Sequence, residues 1–514
     1  MVQSLKNILI TGGFKLLLMV LAVLLIALQI YHIWHYPIWC DDAFFGIVAK
    51  NLADSFNYAA VVYDKTYPFY FGISSGPVMI LPAALIIFIF GNYNWALGLA
   101  MISMLWLLLI AIFFTAKRLL LGDKIWLSAF LFLALALLFS INNQNYGIYT
   151  KDHLGIWYLL LGEIPSALLI ILGTLFLSSA RLDKKSVIVG STILGLAILC
   201  KTIAALAALT VFLIVAVRIF FTKELKKSNK FQLISLLGCC FIAPFFTFEI
   251  IKIISLGWQH YRELQLENSG FYQSIAFVGY EKAFPWGKID DVVNLFGGYF
   301  FLLIFLALYL VRISYKERSG SYLAGITLIT CFFLHLIWWV YCSVFVNDRY
   351  LISALFYCFA GIALLTANLT FKNKIGFTLV WLAILLLFFG RFESISYLVK
   401  DGFAKNNKLL EQVQVASAAT ELKNQGTTII SCGLNSELEY LLPNSANFKN
   451  CFEWLKENSG QSAALVNYFV VPQQVLFYNP FEHFTKIQDL PDAIKSRCKE
   501  EYFVTENFSI LWCK

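Results

Sequence analysis

WCDDAFFGIVAKNLADSFNY (residues 39–58) follows an apolar run, 14–34, and opens with two adjacent carboxylates, Asp41 and Asp42. The chain continues through VVYDKTYPFY (61–70) to SSGPVMILPAALIIFIFG (74–91). At helical spacing Ala43, Phe44, Ile47, Val48 and Leu52 share one face, and Lys50, Asn51 and Asp54 lie on another. Such a helix is expected to lie flat on a membrane surface, which would hold the acid pair at the lipid–water boundary.

Outward from that corner, the composition sets the class. Hydrophobic residues make up 60% of the 514, charged residues only 14%, and mean hydropathy is +0.73, so the chain reads as a helical integral membrane protein. The net charge of +8 sits in short Lys/Arg runs between apolar segments. That is the pattern of loops on the cytoplasmic side of a membrane, and it argues against nucleic-acid binding.

Segment 14–34 is about 21 residues, or roughly 30 Å of helix, with no small-residue cleavage site after it, and is read as a retained span behind a short tail, 1–13. The run 76–91 holds roughly 16 apolar residues, marginal for a span, and carries Pro77 and Pro82. Charge decides its reading. If it lies on the surface or half-buried, the basic runs at 117–118, 181–185, 223–230, 312–318 and 372–374 all fall on the inner side. The spans are then 94–116, 125–143, 156–180, 186–200, 202–221, 231–255, 294–312, 322–343, 350–368 and 375–398, about eleven with the first. The amino terminus is cytoplasmic and the carboxyl terminus outside. Stretch 186–221, roughly 36 residues, is too long for one crossing of a roughly 30 Å core, so two short helices are expected to turn at the outer face near Lys201.

From 399 to 514 the sequence is polar. Helix-like segments at 407–424 and 435–442 alternate with TTIISCG and ALVNYFVVP, which predicts a small α/β domain beside a transmembrane domain of residues 1–398. Cys432, Cys451, Cys498 and Cys513 lie in it; an oxidising compartment would allow two disulfides in any of three pairings, and free thiols are the other reading.

On this topology the ionisable groups in or beside apolar spans collect at the outer face: Asp41, Asp42, Lys65, Asp152, His153, Glu163, Lys201, Glu249, Lys252, Asp348 and Arg349. Charges at membrane depth are costly, so one-sided clustering points to a polar cavity that opens outward. Each group also has an ordinary reading. Asp41 and Asp42 suit a helix N-cap and first turn. Lys65 and Lys201 could snorkel to the interface. Glu249 and Lys252, three apart, are read as a local ion pair. Glu163 falls about seven residues, or roughly 10 Å, inside its expected span, where a carboxylate needs a partner, so it is read as functional.

The acid pair after the first span, the helix behind it, the Pro-containing segment ending in Phe90-Gly91, the Asp152 loop, Gly162-Glu163-Ile164-Pro165, GLAILCK (195–201) and Asp348-Arg349-Tyr350-Leu351 together resemble the GT-C membrane glycosyltransferases, over roughly residues 1 to 400. The resemblance is to their protein O-mannosyltransferase and aminoarabinose-transferase-like branch. It implies an all-α polytopic fold and an inverting transfer of a hexosyl or pentosyl group from a polyprenyl-phosphate-linked sugar to an acceptor glycan, lipid or protein. The setting it implies is the outer face of a bacterial inner membrane.

Carried over by position, Asp41 would be the general base, with Asp42 standing where many members have Glu, and Asp152 would match the acid of the second outer loop. Lys65, Lys201 and Arg349 are candidates for the donor phosphate, and Glu163, His153 and Tyr350 for the substrate cavity. Where some members have a His-Pro-rich segment, this chain has Ser74-Ser75-Gly76-Pro77. No cofactor is implied, although Asp41, Asp42 and Asp152 would suit a divalent ion with oxygen ligands. The alternative function is a transporter or flippase of a lipid-linked or small polar substrate, which would place its charges near the membrane midplane on broken helices.

Overall fold

The computed structural model describes residues 2–35, 38, 40–62, 65–70, 73, 75–93, 95–120, 122–139, 162–179, 182–277, 297–314, 319–341, 349–369, 374–390, 408–425, 428–431, 440, 448–450, 463–467, 498–504 and 509–513. Each apolar segment read as a span contains a helix. In order the helices are α1 (Val2–His35), α2 (Cys40–Ser55), α3 (Pro77–Phe90), α4 (Ala96–Ala116), α5 (Lys124–Phe139), α6 (Glu163–Leu177), α7 (Lys184–Cys200), α8 (Ala205–Phe221), α9 (Lys227–Phe277), α10 (Tyr299–Ser314), α11 (Gly320–Tyr341), α12 (Arg349–Asn368), α13 (Lys374–Gly390) and α14 (Lys408–Asn424). Among the described residues six helices are long and apolar enough to cross a membrane, within α1, α4, α8, α9, α11 and α12.

Their burial is inverted relative to a soluble protein. Leu107, Phe220 and Ile254 are exposed on outward faces, whereas Glu163 and Lys201 are buried inside. Helices that face hydrocarbon lose nothing by exposing Leu and Phe, and they must turn charge inward. The chain is an integral membrane protein.

Helix α3 has 14 residues, roughly 21 Å, too short to cross the core. It buries Met79, Ile80, Ala83, Ala84 and Ile87, and Leu81, Leu85, Phe88 and Ile89 are exposed along its other side, as a half-buried helix requires. The α2 expectation is corrected. From Asp42 to Ala49 only Phe44 is not fully buried, because Leu97 of α4 and the ring of Tyr440 close over Gly46 on one side and α3 packs on another. The helix is therefore enclosed by protein and does not lie on an open surface.

Between α2 and α3 a hairpin forms from β1 (Ala59–Val62) and β2 (Lys65–Pro68). Toward the carboxyl terminus β3 (Thr428–Ser431), β4 (Phe448–Asn450), β5 (Ala463–Asn467), β6 (Cys498–Val504) and β7 (Ser509–Cys513) form a mixed sheet in the order β4-β3-β5-β7-β6, with α14 packed on β3, β5 and β7. The register sets Cys498 opposite Cys513; Cys432 and Cys451 lie outside the described residues.

The start of α7 is set by Asp183, whose Oδ1 accepts the Ser186 N–H at 2.7 Å. Hydrogen bonding from Ser186, first from its side chain and then from this backbone N–H, holds the exposed Asp183 carboxyl below the ordinary range. The cap therefore acts above the unfolded carboxylate pKa and is lost as pH falls through the lower folded one. Asp183→Ala is expected to lower stability by about 1 kcal/mol at neutral pH, read as a small drop in melting temperature that narrows in acid.

Candidate functional site

Lys201 marks the break between α7 and α8. It caps α7 in extended conformation (φ −155°, ψ 125°), a 3₁₀ turn (Thr202–Ala204) follows, and α8 begins. Near the far end of α8, Arg218 donates to the carbonyls of Leu177 (3.1 Å) and Ser179 (2.8 Å), just past α6 and shortly before α7 starts. Helices α7 and α8 are thus an antiparallel pair with Lys201 at the bend, and α6 begins at that same end.

The first residue of α6 is Glu163, and Lys201 Nζ lies 3.3 Å from its Oε1. Glu163 therefore opens its helix and does not lie two turns inside one, which corrects the depth expected for it. Both residues are almost fully buried, at 1% and 4% exposure. Isolated, either charge would be costly there; paired, and with the carboxylate at a helix amino terminus, both are tolerated. Gly162 before it adopts the left-handed conformation (φ +84°) and packs against the Cys200 carbonyl. The hydroxyls of Ser166 (2.9 Å) and of Ser353 on α12 (3.1 Å) both donate to the Glu163 carbonyl.

The loop after the hairpin is fastened to the same point. Ser75 pairs with Lys201 as an isolated antiparallel bridge, and the Gly76 N–H donates to the Cys200 carbonyl at 3.1 Å. On the α2 side, Lys201 Nζ lies 5.9 Å from the centre of the Phe45 ring. Phe45 is one helical turn beyond Asp41 and Asp42, so the helix that carries the acid pair brings an aromatic ring to the ammonium of the ion pair.

Asp42 is buried. Its charge acts on Tyr440, whose phenol is pushed up first by burial and then by Asp42. The Tyr440 carbonyl accepts from Asn92 Nδ2 at 3.3 Å, which ties this residue of the carboxyl-terminal region to the α3–α4 connection.

Of the remaining residues singled out in the sequence, Asp41 is in the first turn of α2, Lys65 opens β2, and Arg349 and Tyr350 open α12 one turn before Ser353. The backbone at Arg349 is therefore at the Lys201 end; the side chains of these four lie outside the described residues, as do Asp152 and His153. Glu249 and Lys252 pair locally on α9 at 2.8 Å, and Tyr261 donates to Glu249 at 2.9 Å. Among the described residues no group of three or more metal-ligating side chains comes together. Sequence reasoning missed the roles of Ser75, Gly76, Ser353 and Tyr440. Only the Gly76-Pro77 pair, a break before a helix, carried a local signal.

No family profile and no curated protein sequence matches the chain. Solved structures do. ArnT from Cupriavidus metallidurans, an aminoarabinose transferase solved with undecaprenyl phosphate bound, superposes with a TM-score of 0.59 at 12% identity over 98% of each chain. Its apo form gives 0.57 at 13% identity over the same share. The chain has the GT-C fold. The archaeal oligosaccharyltransferase AglB of Archaeoglobus fulgidus, solved with an inhibitory peptide and a dolichol-phosphate, gives a TM-score of 0.48 at 12% identity over 86% of this chain and 64% of its own. At 12–13% identity the likeness to ArnT shows the fold alone, and the roles of individual residues rest on this chain's own chemistry.

Proposed function

We propose that the protein is an inverting glycosyltransferase that moves a sugar from a polyprenyl-phosphate donor to a lipid, glycan or protein acceptor at the outer face of a bacterial inner membrane. The observation that carries this reading is the buried Lys201–Glu163 pair with Phe45 of the acid-bearing helix α2 beside its ammonium, within a GT-C fold. The ArnT structure that shares the fold holds undecaprenyl phosphate. The amino terminus would be cytoplasmic and the carboxyl-terminal sheet periplasmic.

The chemistry needs a base within hydrogen-bond reach of the acceptor hydroxyl and a cation beside the departing phosphate. Asp41, or Asp42 beside it, would take the acceptor proton as the acceptor oxygen attacks the anomeric carbon and the polyprenyl phosphate leaves from the opposite side. Asp152 would support that acid pair. Phosphate leaves readily as an anion, so no general acid is required. Lys201 and Arg349, with Lys65 from the hairpin, would meet the phosphate, Lys as a compact charge and Arg as a bidentate fork. Glu163, His153 and Tyr350 would line the substrate cavity. A transporter is less well supported, because α7 and α8 turn back on each other at Lys201 and do not continue through it as one broken helix.

Purified protein offered labelled polyprenyl-phosphate sugars tests the reading. Lys201→Ala and Arg349→Ala are each expected to weaken donor binding by about tenfold or more, the loss of one charge-assisted contact. Lys201→Arg is expected to restore it only in part, since the planar guanidinium needs more room and a fixed approach. Unchanged affinity in both alanine variants would place the phosphate elsewhere.

A further inference from the structure

We propose that Glu163 is a positioning residue: the counter-ion that holds the Lys201 ammonium in wait and gives it up to the donor's phosphate. This rests on the reading that Lys201 meets a lipid phosphate, and it assigns work to a buried carboxylate that the transfer itself does not use.

The Glu163 carboxylate offsets the Lys201 charge, so an arriving anion gains from Lys201 only against that opposing charge. Five features make an exchange of partners workable. The 3.3 Å separation keeps the ammonium within ion-pair range of Glu163 but outside the roughly 2.7–2.9 Å of a tight charge-assisted hydrogen bond to it. The backbone of Lys201 is fixed by Ser75 and by the bond from Gly76 to Cys200, so movement is confined to the four-carbon stem. The Glu163 backbone is fixed as well, by the hydroxyls of Ser166 and Ser353. The carboxylate also sits at the amino terminus of α6, where the helix dipole continues to favour negative charge once the ammonium turns away. The ring of Phe45, on α2, lies 5.9 Å from the ammonium, so the stem can swing toward that helix while the cation keeps a favourable surface.

The test is equilibrium titration of undecaprenyl phosphate into the purified full chain in detergent, with turnover measured on the same samples. Glu163→Gln keeps the shape and removes the charge. It is expected to tighten binding about tenfold, or about 1.4 kcal/mol, while kcat falls because the ammonium is no longer held in place. Glu163→Asp, which withdraws the carboxylate by one methylene, is expected to tighten binding by a smaller factor, about two- to threefold, and covers the case in which Glu163→Gln does not fold. A purely structural ion pair would instead show weaker or unchanged binding in both variants together with lower stability, and that result overturns the proposal while leaving the glycosyltransferase reading intact. Absence of saturable binding by the wild-type protein overturns both.

Discussion

Asp41→Asn is expected to lower turnover by at least about 10²-fold and to leave donor affinity within about twofold. A general base acts on the acceptor proton, and its removal typically costs 10²–10⁴-fold in rate; on the proposed reading the donor phosphate is met by Lys201 and Arg349, which the substitution leaves in place. The amide retains the size and hydrogen-bonding shape of the carboxylate, so helix α2 should fold around it. The neighbouring acid supplies the comparison. Asp42 is buried beside Tyr440, and Asn there is expected to disturb the contact between α2 and the carboxyl-terminal region, with a measurable loss of thermal stability. Single-turnover kinetics and donor titration on both variants separate the roles. Wild-type turnover in Asp41→Asn would mean that Asp42 is the base or that the pair only caps the helix.

The difference between those two acids could not be read from the sequence, and the reason is general to this fold. The break at Lys201 was legible because an apolar stretch of that length cannot cross once and a lysine sits in its middle. The half-buried character of α3 followed from its length and the parity of the basic runs. The Glu249–Lys252 pair followed from helical spacing alone. By contrast, the burial of α2 depends on Leu97 and Tyr440, the second almost 400 residues from Gly46 in sequence, and no local pattern encodes such a contact. Glu163 was placed too deep because the residues before it are as apolar as those after, so composition cannot locate the left-handed Gly162 that starts the helix. Segment α9 breaks at a kink at Gly257 (φ +73°), and a second helical stretch continues to Phe277 through polar residues that hydropathy does not mark. The order of strands β3 to β7 is likewise a matter of long-range pairing.

Gly76→Ala is expected to disable the site more completely than its size suggests. A Cβ at Gly76 would lie 1.7 Å from the Leu199 carbonyl oxygen, in the last turn of α7. The backbone there (φ −81°, ψ −177°) is open to any residue, so the cost is contact alone. The obstructing atom belongs to the main chain of a packed helix and cannot rotate aside as a side chain would. Relief requires the start of α3 and the end of α7 to part by an ångström or more. That stretches the bond from Gly76 to Cys200 and the bridge from Ser75 to Lys201, and with them the placement of the ammonium relative to Glu163 and α2. Misplacement of a binding group by about 1 Å is enough to cost about 10²-fold in rate. Overpacking of this kind also destabilises by about 1–3 kcal/mol. Gly238→Ala is the control, because a Cβ at that helical position meets nothing within 4 Å. Alanine there is expected to be neutral or to stabilise by up to about 1 kcal/mol. Turnover and thermal melting of the two variants should therefore diverge sharply, and wild-type behaviour of Gly76→Ala would show that the contact between the first loop and the α7–α8 bend does not organise the site.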